Sequence, residues 1–163
     1  MPHVLCAHFP LILLLTAPLL VVMALGLAAE KRRLLLWAAL VLMVFGTTMA
    51  FVAIATGEAA MDLVASTPAI MAGLQRHRAL AEATAELFSL LTLGFAGLMV
   101  VPHRLGCELD SRLNATLLAA YLIFYSSGAL FLLHTAVEGE RLACQVSSQT
   151  VAARQLSRKE SAR

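Results

Sequence analysis

The sequence predicts an all-α protein, an integral-membrane four-helix bundle with up-down-up-down order, and three observations predict it. Apolar residues make up 60% of the 163 and charged residues only 13%. Mean hydropathy is +0.83, far from the balance of a water-soluble domain. The apolar residues are gathered into four blocks separated by short polar punctuation. Each block is long enough to cross a hydrocarbon core about 30 Å thick, which takes roughly 20 helical residues.

The first span covers residues 9–28 and stops at Glu30-Lys31-Arg32-Arg33. No Lys or Arg precedes Phe9, and the apolar run is longer than a signal-peptide core, so an uncleaved spanning helix is expected. Pro10, which needs no N–H partner in a first turn, is expected to open this helix just after His8. The second span covers residues 34–56. The third covers residues 82–101 and continues a helix that begins further out, where Ser66-Thr67-Pro68 places a capping hydroxyl before a proline. The fourth covers residues 115–135. Residues 1–142 thus form a transmembrane domain. Residues 143–163 form a polar tail, of which residues 147–163 are expected to be disordered or a short surface helix.

Positive charges in the short loops set the expected orientation. Lys31-Arg32-Arg33 and the stretch holding Arg104 and Arg112 lie on one side, which the positive-inside rule puts in the cytoplasm. Both termini then lie outside, although Arg154, Arg158, Lys159 and Arg163 of the tail count against it. The expected location is a bacterial inner membrane. The net charge of +2, with no long basic block, excludes nucleic acid as a partner.

With that topology His8, His77 and His134 all arrive at the outer side, His103 stands alone on the cytoplasmic side, and His3 is close to the terminus. Imidazoles in so apolar a chain are costly to place and tend to mark function. Each also has a plain structural reading, as an interfacial group, part of a basic surface patch (Arg76-His77-Arg78), or a ring satisfied by a backbone carbonyl. Glu82 and Glu86 share a face of helix 3 one turn apart, and at 100° per residue that face points almost opposite to His77. Either one set faces away from the bundle centre or the helix breaks, with Gly73 the natural place. Glu58 and Glu138 could orient a histidine as supporting carboxylates.

Small residues at Gly46-Thr47-Thr48, Ala50, Gly94, Gly97 and Ser126-Ser127-Gly128 allow helices to approach closely or a planar group to enter. The seven methionines read as core filling. Cys6 and Cys144 both fall outside, where a disulfide could tie the two ends together, while Cys107 is cytoplasmic. There is no CxxC, CxxCH or HExxH, so c-type haem attachment and zinc-protease chemistry have no support. No motif names a reaction, and whether the chain is an enzyme stays open.

His8-Phe9-Pro10 opening helix 1, Thr56-Gly57 closing helix 2, His77-Arg78-Ala79-Leu80-Ala81 before helix 3 and Gly139-Glu140 after helix 4 resemble the bacterial membrane family catalogued as domain of unknown function 2231. The resemblance spans residues 3–142. It departs at the C-terminal end, where the family has a double glycine followed by a histidine and this chain has Glu138-Gly139-Glu140-Arg141. It implies a four-helix bundle and a role near redox chemistry, and favours His8 and His77 as a functional pair.

The leading expectation is a b-type haem held by two of His8, His77 and His134 near the outer face, passing electrons to a redox partner protein. Depth in the membrane favours His8 with His134. The rival readings are a non-catalytic accessory subunit of a larger membrane complex, and a Zn or Cu site built from the three histidines with Glu58 or Glu138. Glu82 and Glu86 are candidates for a proton relay. The lipid bilayer is the expected surrounding, and a homo-oligomer is compatible with the sequence.

Overall fold

The computed structural model describes the backbone of residues 2–61, 68–106 and 110–161, with the side chains of residues 8–59, 70–102, 104, 106, 110 and 112–148. Among the described residues there are four helices and no strand: α1 (Pro2–Leu25), α2 (Ala29–Met61), α3 (Pro68–Leu105) and α4 (Ser111–Ser161). All four are long and apolar enough to cross a membrane. Each packs on its chain neighbours and α1 closes on α4, so α1 and α3 face each other across one diagonal and α2 and α4 across the other. Helices α3 and α4 run antiparallel, since the facing pairs Gly73–Leu142, His77–Gly139, Thr84–Thr135 and Leu91–Gly128 ascend one helix as they descend the other.

Three helix ends differ from the sequence expectation. Helix α1 starts at Pro2, so Pro10 lies inside a helix rather than opening one. Helix α2 runs on to Met61 and α3 starts at Pro68, so most of the expected loop between residues 57 and 78 is helical. The start at Pro68 fits the Ser66-Thr67-Pro68 signal, although Ser66 and Thr67 lie outside the described residues. The tail is neither a coil nor a separate surface helix, because α4 continues to Ser161. At about 1.5 Å per residue, its 51 residues extend about 76 Å, far more than a bilayer's thickness. The first part of that extension packs on α3 through Leu142, which lies over Gly73, and Leu142, Ala143 and Val146 line a cavity. Helix α3 ends where Gly106 takes the left-handed conformation, φ 62°, that closes a helix.

The interior is organised by hydroxyl groups and aromatic rings. Tyr125, Phe88, Phe95, Leu14 and Met43 are essentially inaccessible. Phe88 and Tyr125 meet edge to face at 5.3 Å, Tyr121 lies 5.8 Å from Tyr125, and Phe95 lies 5.0 Å from Tyr121. A buried tyrosine hydroxyl needs an acceptor. Tyr125 donates to the Leu14 carbonyl of α1 at 2.7 Å, and Tyr121 donates to the Leu91 carbonyl of α3 at 3.1 Å. The choice of Leu14 has a physical cause. Residue 18 is a proline inside α1, so the carbonyl four residues earlier has no intrahelical N–H to accept. Tyr125 supplies from α4 the hydrogen that Pro18 withholds.

Two threonine pairs complete the polar framework. Thr47 meets Thr92 between α2 and α3 at 3.1 Å, and Thr84 meets Thr135 between α3 and α4 at 2.9 Å. Close approach of α1 and α2 is set at Gly46, where a Cβ would stand 2.7 Å from the buried Leu14 Cγ. Gly128 gives α4 a similar approach to Leu91. Gly94 and Gly97, also expected at contacts, have open space beside them.

Two outcomes follow for stability in detergent or lipid. Tyr125→Phe should destabilise the bundle by about 1 kcal/mol, as interhelical hydrogen bonds in membrane proteins do. Pro18→Ala, which returns an N–H to α1, should remove most of that cost. A double-mutant cycle by reversible unfolding checks this, and strict additivity of the two substitutions contradicts it. Gly46→Ala should be destabilising by about 1–3 kcal/mol, because Leu14 has nowhere to move. Gly128→Ala should cost less, since its nearest neighbour is the end of the Leu91 side chain.

Candidate functional site

At the end of the bundle that holds His77, the interior residues become small. Ala50 and Ala53 of α2, Ala81 of α3, and Ala136 and Gly139 of α4 leave a cavity of about 440 Å³. All four helices line it, with Pro10 and Leu11 contributed by α1. Its walls are mostly apolar. The polar groups on them are His77, Arg78, Glu58, Ser147 and the Thr84–Thr135 pair.

His77 reaches this wall because it stands seven residues, two helical turns, before Thr84, which already faces α4. Its ring packs on α4 where there is no side chain in the way. A Cβ on Gly139 would lie 2.7 Å from His77 Cε1, and one on Gly73 would lie 2.6 Å from Leu142 Cδ2. The two helices therefore exchange contacts reciprocally, each placing a large side chain over the other's glycine. His77 Nδ1 is buried. The ring is packed against α4 and forms part of the cavity wall.

Arg78 stands beside His77 but is already engaged. Its Nη2 lies 2.6 Å from Glu58 of α2, and its Nε donates to Glu82 at 2.8 Å. One guanidinium against two carboxylates leaves this rim with a formal charge of −1. A bound anion would find no cation free at Arg78.

The structure separates the three histidines. His77 lines the cavity. His8 lies half exposed beside α4, with Nε2 3.4 Å from Glu140. His134 is exposed on the outward side of α4, one residue from the inward-facing Thr135. The described residues therefore bring one imidazole to the cavity wall, not two. Among the described residues no group of three His, Cys, Asp or Glu side chains is placed to hold a metal ion. The expected supporting carboxylates are also redistributed. Glu58 serves Arg78, Glu138 pairs with Arg141 at 2.8 Å, and it is Glu140 that meets a histidine. The opposition between His77 and the glutamates of α3 is resolved without a helix break at Gly73, because α3 is continuous. His77 faces inward, Glu82 reaches Arg78, and Glu86 faces out. Cys144 is a free, exposed thiol. The side chains of Cys6, His3 and His103, and all of Cys107, lie outside the described residues.

Sequence reasoning missed the pairing of Glu140 with His8, Gly73 as a contact point, and the threonine pair on the cavity wall. The Arg78–Glu82 pair had a legible signal in its i,i+4 spacing. Residues 135, 139, 142 and 146 also repeat at helical spacing, a pattern that marks α4 as continuing past residue 142.

No protein-family model, curated protein or solved structure matches this chain.

Gly139→Val should drive the His77 ring off α4 while leaving the Tyr125 hub intact. Amide hydrogen exchange should then rise over residues 135–147 and around His77 but stay unchanged around Phe88 and Tyr125. Unchanged exchange at both ends would contradict the packing role given to Gly139.

Proposed function

We propose that the chain is a bilayer-embedded binding protein whose cavity takes a neutral, lipid-soluble molecule, with His77 as its polar contact. What supports embedding is the surface. Large apolar side chains such as Leu34, Leu90, Leu93, Ile123 and Leu130 are exposed along all four helices, an arrangement that lipid covers and water does not. The observation that carries the binding role is the cavity itself, apolar along its walls and polar around His77. Neutrality follows from Arg78, which is held between two carboxylates and has no charge to spare. A carbonyl or hydroxyl oxygen on an apolar body suits such a wall without needing a counter-ion. A carboxylate or phosphate does not.

A second reading keeps the haem expected from the sequence. His8 and His77 come from helices on one diagonal and reach consecutive residues of α4, Glu140 and Gly139, so they lie at one level. This reading requires His8 to turn away from Glu140 into the cavity. A haem held this way would supply one-electron chemistry, and His8, His77 and the apolar walls would be what holds it.

Protein in lipid nanodiscs, labelled with a photoreactive long-chain alcohol, should be modified within residues 132–147. Labelling should be several-fold weaker with the matching fatty acid and should fall when Ala136→Trp fills the cavity. Labelling confined to outward positions such as Leu90 and Leu130 would sink the binding reading. Oxidised and reduced absorption spectra of the same preparation separate the two ligands. A Soret band lost in His8→Ala favours haem over the neutral ligand.

A further inference from the structure

Glu86 and His134 sit on the outward faces of α3 and α4, both exposed, and neither has a hydrogen bond or ion pair among the described residues. Each lies in an apolar stripe at helical spacing. On α3 the stripe is Glu86, Leu90, Leu93, Gly97 and Val101, and on α4 it is Ile123, Ser127, Leu130, His134 and Val137. Ionisable groups on a lipid-facing surface are costly unless something pairs with them.

One copy cannot make the pair itself. Thr84 faces α4, and Glu86 follows it by two residues, about 200° around α3, so it points away from α4. The depths, however, agree. Thr84 and Thr135 are hydrogen-bonded and so define one level. Because the helices are antiparallel, Glu86 lies about 3 Å below that level and His134 about 1.5 Å below it on the same side. Copies inserted in the same orientation therefore bring an acid and a base to nearly the same depth.

We propose that these outward faces form an interface between copies of this chain, with Glu86 of one copy paired to His134 of a second. The occupant is argued from charge complementarity at matched depth. The open space beside Gly94 and Gly97 also lets a second helix approach α3 closely. The contact is of α3 with α4, so two copies close it about an axis along the membrane normal, or more copies close it as a ring. The inference rests on the bundle being embedded in a bilayer and does not depend on what fills the cavity.

The test uses the full chain in liposomes, with its three native cysteines replaced by serine. Copies carrying Glu86→Cys, co-expressed with copies carrying His134→Cys, should form the mixed disulfide in preference to either like-with-like product. Energy transfer between labelled copies, measured against protein-to-lipid ratio, should show roughly ten-fold weaker association for Glu86→Gln and for His134→Leu. The exchanged variant, Glu86→His with His134→Glu, should recover it, which separates loss of the interface from loss of the fold. Equal association in every variant, like-with-like disulfides alone, or a monomer at all densities would overturn the proposal. Release of the protein by alkaline carbonate would overturn the embedding and the interface together, whereas failure of alcohol labelling would touch only the cavity.

Discussion

The structure depends most on a hydrogen bond that α1 cannot make for itself. Pro18 removes the N–H that the Leu14 carbonyl would accept, in a fully buried part of the bundle. An unsatisfied carbonyl there would be expensive. Tyr125 meets it from α4, and that fixes more than one bond. It sets the rotation of α4, so that Tyr121 reaches Leu91 and Gly128 faces α3. It also holds Leu14 where Gly46 must be a glycine. All four helices are tied to this one level, since Met43 of α2 lies against Tyr121.

The cavity is the counterpart of that hub. Where the rings of Phe88, Phe95, Tyr121 and Tyr125 stack, the interior is filled. Towards His77 the same inward positions hold alanine and glycine, which cannot fill the space between four helices. The ion pairs at that end are local, Arg78 with Glu58 and Glu82, and His8 with Glu140. Half-exposed ion pairs of this kind stabilise weakly. The molecule thus has one half filled by aromatic rings and another built around a space.

Helix number and the up-down order were legible because length and hydropathy decide them, and Ser66-Thr67-Pro68 located the start of α3. Helix rotation was not legible. In a water-soluble bundle the apolar stripe identifies the inward face, but here outward-facing and core-facing positions are both apolar, so the period carries little information. That is why His134 and Glu86 could not be placed inside or outside from their spacing. His77 and Glu86 were correctly seen to be opposed, and only the packing of His77 on Gly139 shows which of them faces in. The helical tail was hidden for a different reason. Its composition is polar, and its inward stripe of Thr135, Gly139, Leu142 and Val146 includes only two large apolar residues.

The central claim concerns a single carbonyl, and infrared spectroscopy reads it directly. Leu14 carrying a 13C=18O carbonyl, introduced by semisynthesis of the N-terminal segment, gives an isolated amide band in the folded protein. The account predicts a band at the low frequency of a hydrogen-bonded carbonyl, moving to higher frequency in Tyr125→Phe. A band at the free-carbonyl frequency in the unsubstituted chain, or one indifferent to Tyr125→Phe, would contradict it.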